Sequence, residues 1–202
     1  MSVKVLVVGL GNMGTSHALA YHNNPSFEIV GLMSRTLSEN VDNLPKQLQG
    51  YPIYEDYRKA LKESQPDAVS INTWPNTHAA FASEAIEQGC HVFMEKPLAT
   101  NLEDAKKVVE LAIKHQRKLV LGYILRVHPS WVKFIEVGKT LGKPLVMRLN
   151  LNQQSSGETW FWHKNLIDSL IPIVDCGVHY VDVMCQLTNA KPVRVHGIGA
   201  KL

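Results

Sequence analysis

Residues able to do chemistry fall into short clusters, and the first is Gly9-Leu10-Gly11-Asn12-Met13-Gly14, a G-x-G-x-x-G turn. In such a turn the glycines allow a tight bend and a close approach of the backbone to a pyrophosphate. The phosphate charge is then met by the unpaired N–H groups that open the following helix. The pattern signals a dinucleotide where it follows a strand and begins a helix; elsewhere it is only a glycine-rich turn. The next strand should end about 20 residues later with an acidic side chain if the ligand is NAD, because that carboxylate takes the ribose 2′-hydroxyl. Ser34, Arg35 and Thr36 stand there instead. A guanidinium with small hydroxyls suits a 2′-phosphate through charge-assisted contacts, so NADP is expected ahead of NAD. The alternative is that Arg35 is a solvated loop residue.

Two further polar clusters follow apolar runs: Thr73-Trp74-Pro75-Asn76-Thr77-His78 and Glu95-Lys96-Pro97. Ligands of open α/β sheets bind beyond the carboxyl ends of the strands, which is where both would lie. Thr73, Trp74, Pro75, Asn76, His78, Glu95 and Lys96 are therefore expected to border the cofactor. Pro97 restricts Lys96 to an extended backbone. His78 also suits a packing role at a helix start. The last cluster is Asp175-Cys176-Gly177-Val178-His179-Tyr180-Val181-Asp182. On one helix Asp175, His179 and Asp182 would share a face, beside an apolar stripe of Val174, Val178, Val181 and Cys185. Gly177 inside such a helix costs about 1 kcal/mol relative to Ala, which suggests a backbone or ligand passing close.

These clusters need elements to hold them. Apolar, β-branched runs at 3–8, 28–33, 52–54, 68–72, 91–94 and 118–122 alternate with helical patterns, as in βαβ units on a parallel sheet buried on both faces. Asn76 or Thr77 is expected to cap a helix that stops at Gly89, and Asn101 to cap a helix over 102–116. Beyond Gly122 the pattern changes. It predicts a helix over 130–137, a strand over 145–152, a Trp-rich loop over 153–164, a helix over 174–187 and a strand over 193–202. The chain thus divides into 1–122 and 123–202, and two strands are too few to make a second sheet stand alone.

Composition narrows the class. The 202 residues are 45% hydrophobic and 19% charged, which excludes collagen-like, coiled-coil and disordered chains. The net charge of +3 is not gathered into a basic patch, so no nucleic-acid partner is expected. Three cysteines, Cys90, Cys176 and Cys185, lack disulfide or zinc spacing and read as reduced thiols. No metal is expected, although Cys176, His179 and Cys185 are the set a zinc alcohol dehydrogenase would need. No run is long enough for a membrane span or a secretory leader, and a cytoplasmic location is expected.

Taken in order, G-L-G-N-M-G, T-W-P-N-T-H, M-E-K-P-L-A, G-Y-I-L-R-V-H-P and D-C-G-V-H-Y-V-D resemble the glucose-fructose oxidoreductase and inositol dehydrogenase family (Gfo/Idh/MocA). The resemblance implies an α/β architecture: an N-terminal Rossmann domain, doubly wound on a parallel sheet, followed by an α/β domain with an open, mostly antiparallel sheet. It implies hydride transfer between NAD(P) and a secondary alcohol or ketone of a sugar, polyol or inositol-like substrate. By position it makes Lys96, Asp175 and His179 the catalytic set, adds Arg126 to the cofactor-binding residues and suggests a cis Lys96–Pro97 bond. His179 would be the base, since a neutral imidazole takes a proton near physiological pH. Lys96 would stabilise the developing alkoxide and Asp175 would orient substrate or imidazole. A homo-oligomer, dimer or tetramer, built through the C-terminal sheet is also implied.

The sequence departs from that family's pattern in places. Asp168-Ser169-Leu170-Ile171-Pro172-Ile173-Val174 stands where a glycine-rich stretch is common, and Trp74 stands where a proline is common. Trp160, Phe161 and Trp162 suit either stacking on a sugar ring or packing. Family members also continue well beyond residue 202, so the second domain is expected to be incomplete. The reading from a different class is a non-catalytic NAD(P)-binding sensor on the same fold.

Overall fold

The computed structural model describes residues 1–36, 41–142, 146–150, 156–157, 160 and 172–198. It divides into two compact units, Met1–Gly122 and Tyr123–Leu202.

The first unit is a six-stranded parallel sheet of β1 (Val3–Val8), β2 (Phe27–Met33), β3 (Ile53–Tyr54), β4 (Ala68–Ile71), β5 (His91–Met94) and β6 (Leu119–Leu121). The order is β3-β2-β1-β4-β5-β6, with the chain reversing direction of travel between β1 and β4. In β1 alternate side chains enter two cores. Leu6 and Val8 join Val69, Ile71, Val92, Met94, Val108 and Ala112 on one side, whereas Val5 and Val7 join Ala18, Ile29 and Leu32 on the other. That is why the strands read as continuous apolar runs rather than as alternation. Each fully buried Leu or Val contributes roughly 1.5–3 kcal/mol by leaving water.

Four helices cover the sheet: α1 (Asn12–His22), α2 (Tyr57–Ser64), α3 (Pro75–Glu87) and α4 (Leu102–Lys114). α1 supplies Ala18 to one core, while α2, α3 and α4 supply Ala60, Ala82 and Val108 to the other. Asn101 caps α4 as its sequence predicts, its side chain accepting from Asp104 N–H at 2.9 Å. α3 differs from expectation. Its N-cap is Trp74, with extended backbone, and Pro75 takes the first helical position, where a fixed φ and a missing N–H cost nothing. The Thr77 hydroxyl donates back to Trp74 O at 2.8 Å instead of capping.

The strand ends keep step. Val8 lies opposite both Met33 and Ile71, Ile71 opposite Met94, and Met94 opposite Leu121. The ladder continues one residue further: Gly9 N–H donates to Met33 O (2.8 Å), Asn72 to Val8 O (2.7 Å), Glu95 to Ile71 O (2.9 Å) and Gly122 to Met94 O (2.8 Å). Gly9, Asn72, Glu95 and Gly122 therefore stand level along one edge of the sheet.

The second unit contains α5 (Pro129–Gly138), α6 (Pro172–Asp175) and α7 (Gly177–Thr188). Ile135, Val183 and Leu187 are its buried apolar residues among those described. α5 and α7 meet where Gly138 leaves room for the Leu187 side chain. Three expectations are corrected here. The helix over 174–187 is broken at Cys176, so Asp175 ends one helix and His179 belongs to the next. Gly177 stands at the start of α7, and what passes close to it is the Ile173 side chain. Residues 146–150 and 193–198 form no strand, with Val193, Val195 and Ile198 exposed. Strand geometry persists only where a neighbour takes the backbone N–H and C=O groups, and among the described residues of this unit none does. The remainder of both expected strands, and most of the Trp-rich loop, lie outside the described residues.

Candidate active site

The glycine turn joins β1 to α1 at the middle of the level edge. Gly9 has φ +84°, a conformation disfavoured for residues with a Cβ, and a Cβ there would stand 2.7 Å from Asn72 O. At Gly14 a Cβ would collide with Gly9 O and come within 3.2 Å of Asn72 Cβ. Gly11 is different: a Cβ built on it meets nothing within 4 Å. Gly11 is also the N-cap of α1, where no side chain accepts from the first-turn N–H groups and no acidic residue occupies the first turn. Asn12 and Met13 are exposed beside it. Open space facing uncapped N–H groups and the positive end of a helix dipole suits a diphosphate. Behind the turn Asn72 Oδ1 is buried without a hydrogen-bond partner among the described residues.

The other expected cofactor residues divide into two groups. Ser34 continues β2, its N–H donating to Tyr54 O at 3.0 Å, and Arg35 and Thr36 are exposed beyond it. At the end of β4, Thr73 Oγ1 lies 2.7 Å from Thr77 Oγ1, Trp74 is 41% exposed and Asn76 is exposed as well. His78, by contrast, is buried, with Nδ1 2.6 Å from Pro97 O and Nε2 3.0 Å from Thr73 O. Its ring is engaged by the two loops that follow β4 and β5, so it joins those loops instead of facing a ligand. A neutral ring can donate to one of these carbonyls at a time.

Past β5, Lys96 precedes a cis bond to Pro97. Glu95 is buried, and His17 Nε2 from α1 donates to its Oε1 at 2.9 Å. Burial raises the Glu95 carboxyl, but the hydrogen bond and charge of His17, the Lys96 N–H and the Lys96 ammonium outweigh it and hold the group below the usual carboxylate range.

In the second unit the His179 ring stands edge-on to Tyr123, centroids 6.2 Å apart. The Arg126 guanidinium grips Asp182 through Nε (2.9 Å) and Nη2 (2.5 Å) and lies 5.2 Å from the Tyr123 ring centre. Gln186 Nε2 adds a third bond to Asp182 at 2.7 Å. Asp175 accepts from the Cys176 thiol at 3.4 Å. Lys96 thus belongs to one unit, and Arg126, Asp175 and His179 to the other. No group of three metal-ligating side chains comes together among the described residues. Trp160 is exposed, whereas Phe161, Trp162 and residues 168–171 fall outside the described residues.

Residues 3–123 match the family model described as "Oxidoreductase family, NAD-binding Rossmann fold", and residues 134–202 match the model of the GFO/IDH/MocA C-terminal domain. The chain belongs to the GFO/IDH/MocA oxidoreductase family. Within it, the chain is 27% identical over 179 residues to an inositol 2-dehydrogenase/D-chiro-inositol 3-dehydrogenase of Halalkalibacterium halodurans, covering 87% of this chain and 51% of that one. It is 29% identical over 195 residues to an inositol 2-dehydrogenase of Klebsiella pneumoniae, covering 94% and 55%. Among solved structures, a UDP-N-acetylglucosamine 3-dehydrogenase from Acidithiobacillus ferrooxidans superposes with a TM-score of 0.72 at 25% identity, covering 99% of this chain and 61% of that one. A probable dehydrogenase from Thermotoga maritima shares the fold, with a TM-score of 0.81 at 23% identity, covering 94% and 56%. The chain spans about half the length of the curated relatives it matches.

For this GFO/IDH/MocA chain, reading the sequence overlooked His17 and Tyr123. His17 lies three residues beyond Gly14, about one helical turn, and that spacing is the only local sign that it shares a side of α1 with the turn. Tyr123 lies two residues beyond the end of β6, inside the G-Y-I-L-R-V-H-P run, where nothing in the sequence sets it against His179.

Proposed function

We propose that the chain is an NAD(P)-dependent dehydrogenase, favouring NADP, that acts on a secondary alcohol or the matching ketone of a sugar, polyol or inositol-like ring. The observation that carries this reading is the open cradle at Gly11 beside uncapped first-turn N–H groups, in the same level edge as the Glu95-Lys96 strand end. The inositol dehydrogenases among its relatives support the substrate class.

Gly9, Gly11, Asn12, Met13 and Gly14 would hold the diphosphate; Ser34, Arg35 and Thr36 the 2′-phosphate; and Thr73, Trp74, Pro75 and Asn76 the wall beside it. The bound cofactor supplies the carbon that accepts or gives hydride. Lys96 would place its ammonium where the substrate oxygen gains negative charge. His179 would take the hydroxyl proton, with Asp175 orienting substrate or ring. Arg126 is read as holding Asp182 and the Tyr123 ring rather than nucleotide, since its guanidinium is already bidentate on a carboxylate. Assembly through the second unit and a cytoplasmic location belong to the same reading.

Titration of the chain with NADPH and NADH, followed by nucleotide fluorescence, tests it. NADPH should bind more tightly, and Arg35→Ala should narrow the difference. With a panel of inositols, sugars and their ketones, Lys96→Ala should lower turnover at least 100-fold while NADPH binding persists. Failure to bind either nucleotide overturns the reading. Nucleotide binding without turnover that Lys96→Ala can lower would favour the sensor.

A further inference from the structure

β5 ends in a buried charge that the proposed reaction does not use. Phe93 and Glu95 alternate with Val92 and Met94, which face the α2–α4 core, so they face α1. There the His17 ring lies tilted against Phe93, centroids 5.0 Å apart at 57°, and directs Nε2 to Glu95 Oε1 at 2.9 Å. The other carboxylate oxygen, Oε2, accepts the Lys96 N–H at 3.3 Å. Gly122, level with Glu95 at the end of β6, leaves the space the carboxylate fills: a Cβ there would stand 3.1 Å from Oε1 and 3.2 Å from Oε2. One carboxylate, 8% exposed, is therefore held by donors from α1 and from the backbone of Lys96, in a space left open by the glycine at the end of β6.

A buried carboxylate is costly unless each oxygen is satisfied. Here the partners come from the helix that opens at the glycine turn and from the backbone of the lysine assigned to the reaction. A carboxylate serving only to stabilise the sheet could be satisfied by any local donors; these two donors belong to the two halves of the candidate site. We propose that Glu95, held by His17, is a positioning residue: it fixes the Lys96 backbone and so the direction of its ammonium, tying that group to α1. The inference rests on the reading of Lys96 as the acting ammonium. Its test, however, reads Lys96 directly.

The experiment is acylation of the full chain by an acetyl N-hydroxysuccinimide ester. The rate at Lys96 is followed by peptide mass spectrometry against the exposed Lys106 as internal reference. Glu95→Ala should raise the relative rate at Lys96 three- to tenfold, and His17→Ala should raise it by a smaller factor. Glu95→Gln, which keeps the side-chain shape and an acceptor oxygen, should stay within twofold of the parent, as should His17→Gln, which keeps a donor. Equal acceleration in Glu95→Ala and Glu95→Gln would mean that only the charge matters, and would overturn positioning. So would unchanged labelling in every variant. Should Glu95→Ala fail to fold, Glu95→Gln and the His17 pair decide the matter. In turnover assays kcat should fall in Glu95→Ala with the KM for NADP unchanged. Normal turnover of Lys96→Ala would sink the proposed reaction while leaving the labelling result intact.

Discussion

At the scale of single residues, the three glycines of the turn do different work, and substitution separates them. Gly14→Ala must push a methyl group into Gly9 O, so it should lower the urea midpoint markedly, as overpacking against backbone usually costs about 1–3 kcal/mol. Gly11→Ala meets no protein atom and should cost about 1 kcal/mol or less, yet it fills the cradle and should weaken NADPH binding at least tenfold. Equal effects of the two on stability would show that the cradle is not open. Glu95 predicts a pH dependence. Its folded carboxyl is held below the ordinary value, so it contributes stability that is fully present above about pH 4.3. That stability is lost as pH falls through the lower, folded value. Urea unfolding of the parent and of Glu95→Gln should therefore differ at pH 7 and converge in acid, and a gap independent of pH would contradict the assignment. The glycine turn was legible because its signal is local. The Glu95–His17 bond was not, because it joins residues 78 apart and depends on which strands the chain lays side by side.

Among elements, those with self-contained signals were read well. β1 and β5 begin and end where their apolar runs do, and the Asn101 cap starts α4 at the expected residue. Asn101→Ala removes the acceptor for Asp104 N–H and should cost about 1 kcal/mol in thermal or urea unfolding. A cost below a few tenths would mean that the helix start is held by packing alone. Where the reading failed, two local preferences competed. Thr77 has a capping side chain, but Pro75 two residues earlier fixes the first helical φ and claims the start. At Cys176 the apolar stripe continues across a break, so periodicity reads one helix where the backbone makes two. Residues 193–198 alternate as a strand should, but a strand is a property of a pair, and a single sequence run does not contain its neighbour.

For the molecule as a whole, the described residues of the two units differ in how completely they bury their apolar side chains. The first closes two cores around one sheet. In the second, Phe134, Val137 and Leu141 remain exposed along a groove of about 860 Å³ beside α5. No helix among the described residues is long and apolar enough to cross a membrane. The level row of Gly9, Asn72, Glu95 and Gly122 sets how this fold tolerates changes in length. Parallel neighbours lie about 4.8 Å apart and side chains alternate faces, so one extra codon within β4 or β5 would turn every following side chain over. Ile71 or Met94 would leave its core, and the loops carrying Thr73 or Lys96 would fall out of line with the glycine turn. An added residue at 23–26, an exposed bend between α1 and β2, would disturb neither. A scan of single-codon insertions should therefore trace the sheet as a sharp pattern of intolerance, silent in the bends and lethal to nucleotide retention in the strands that precede the two candidate loops.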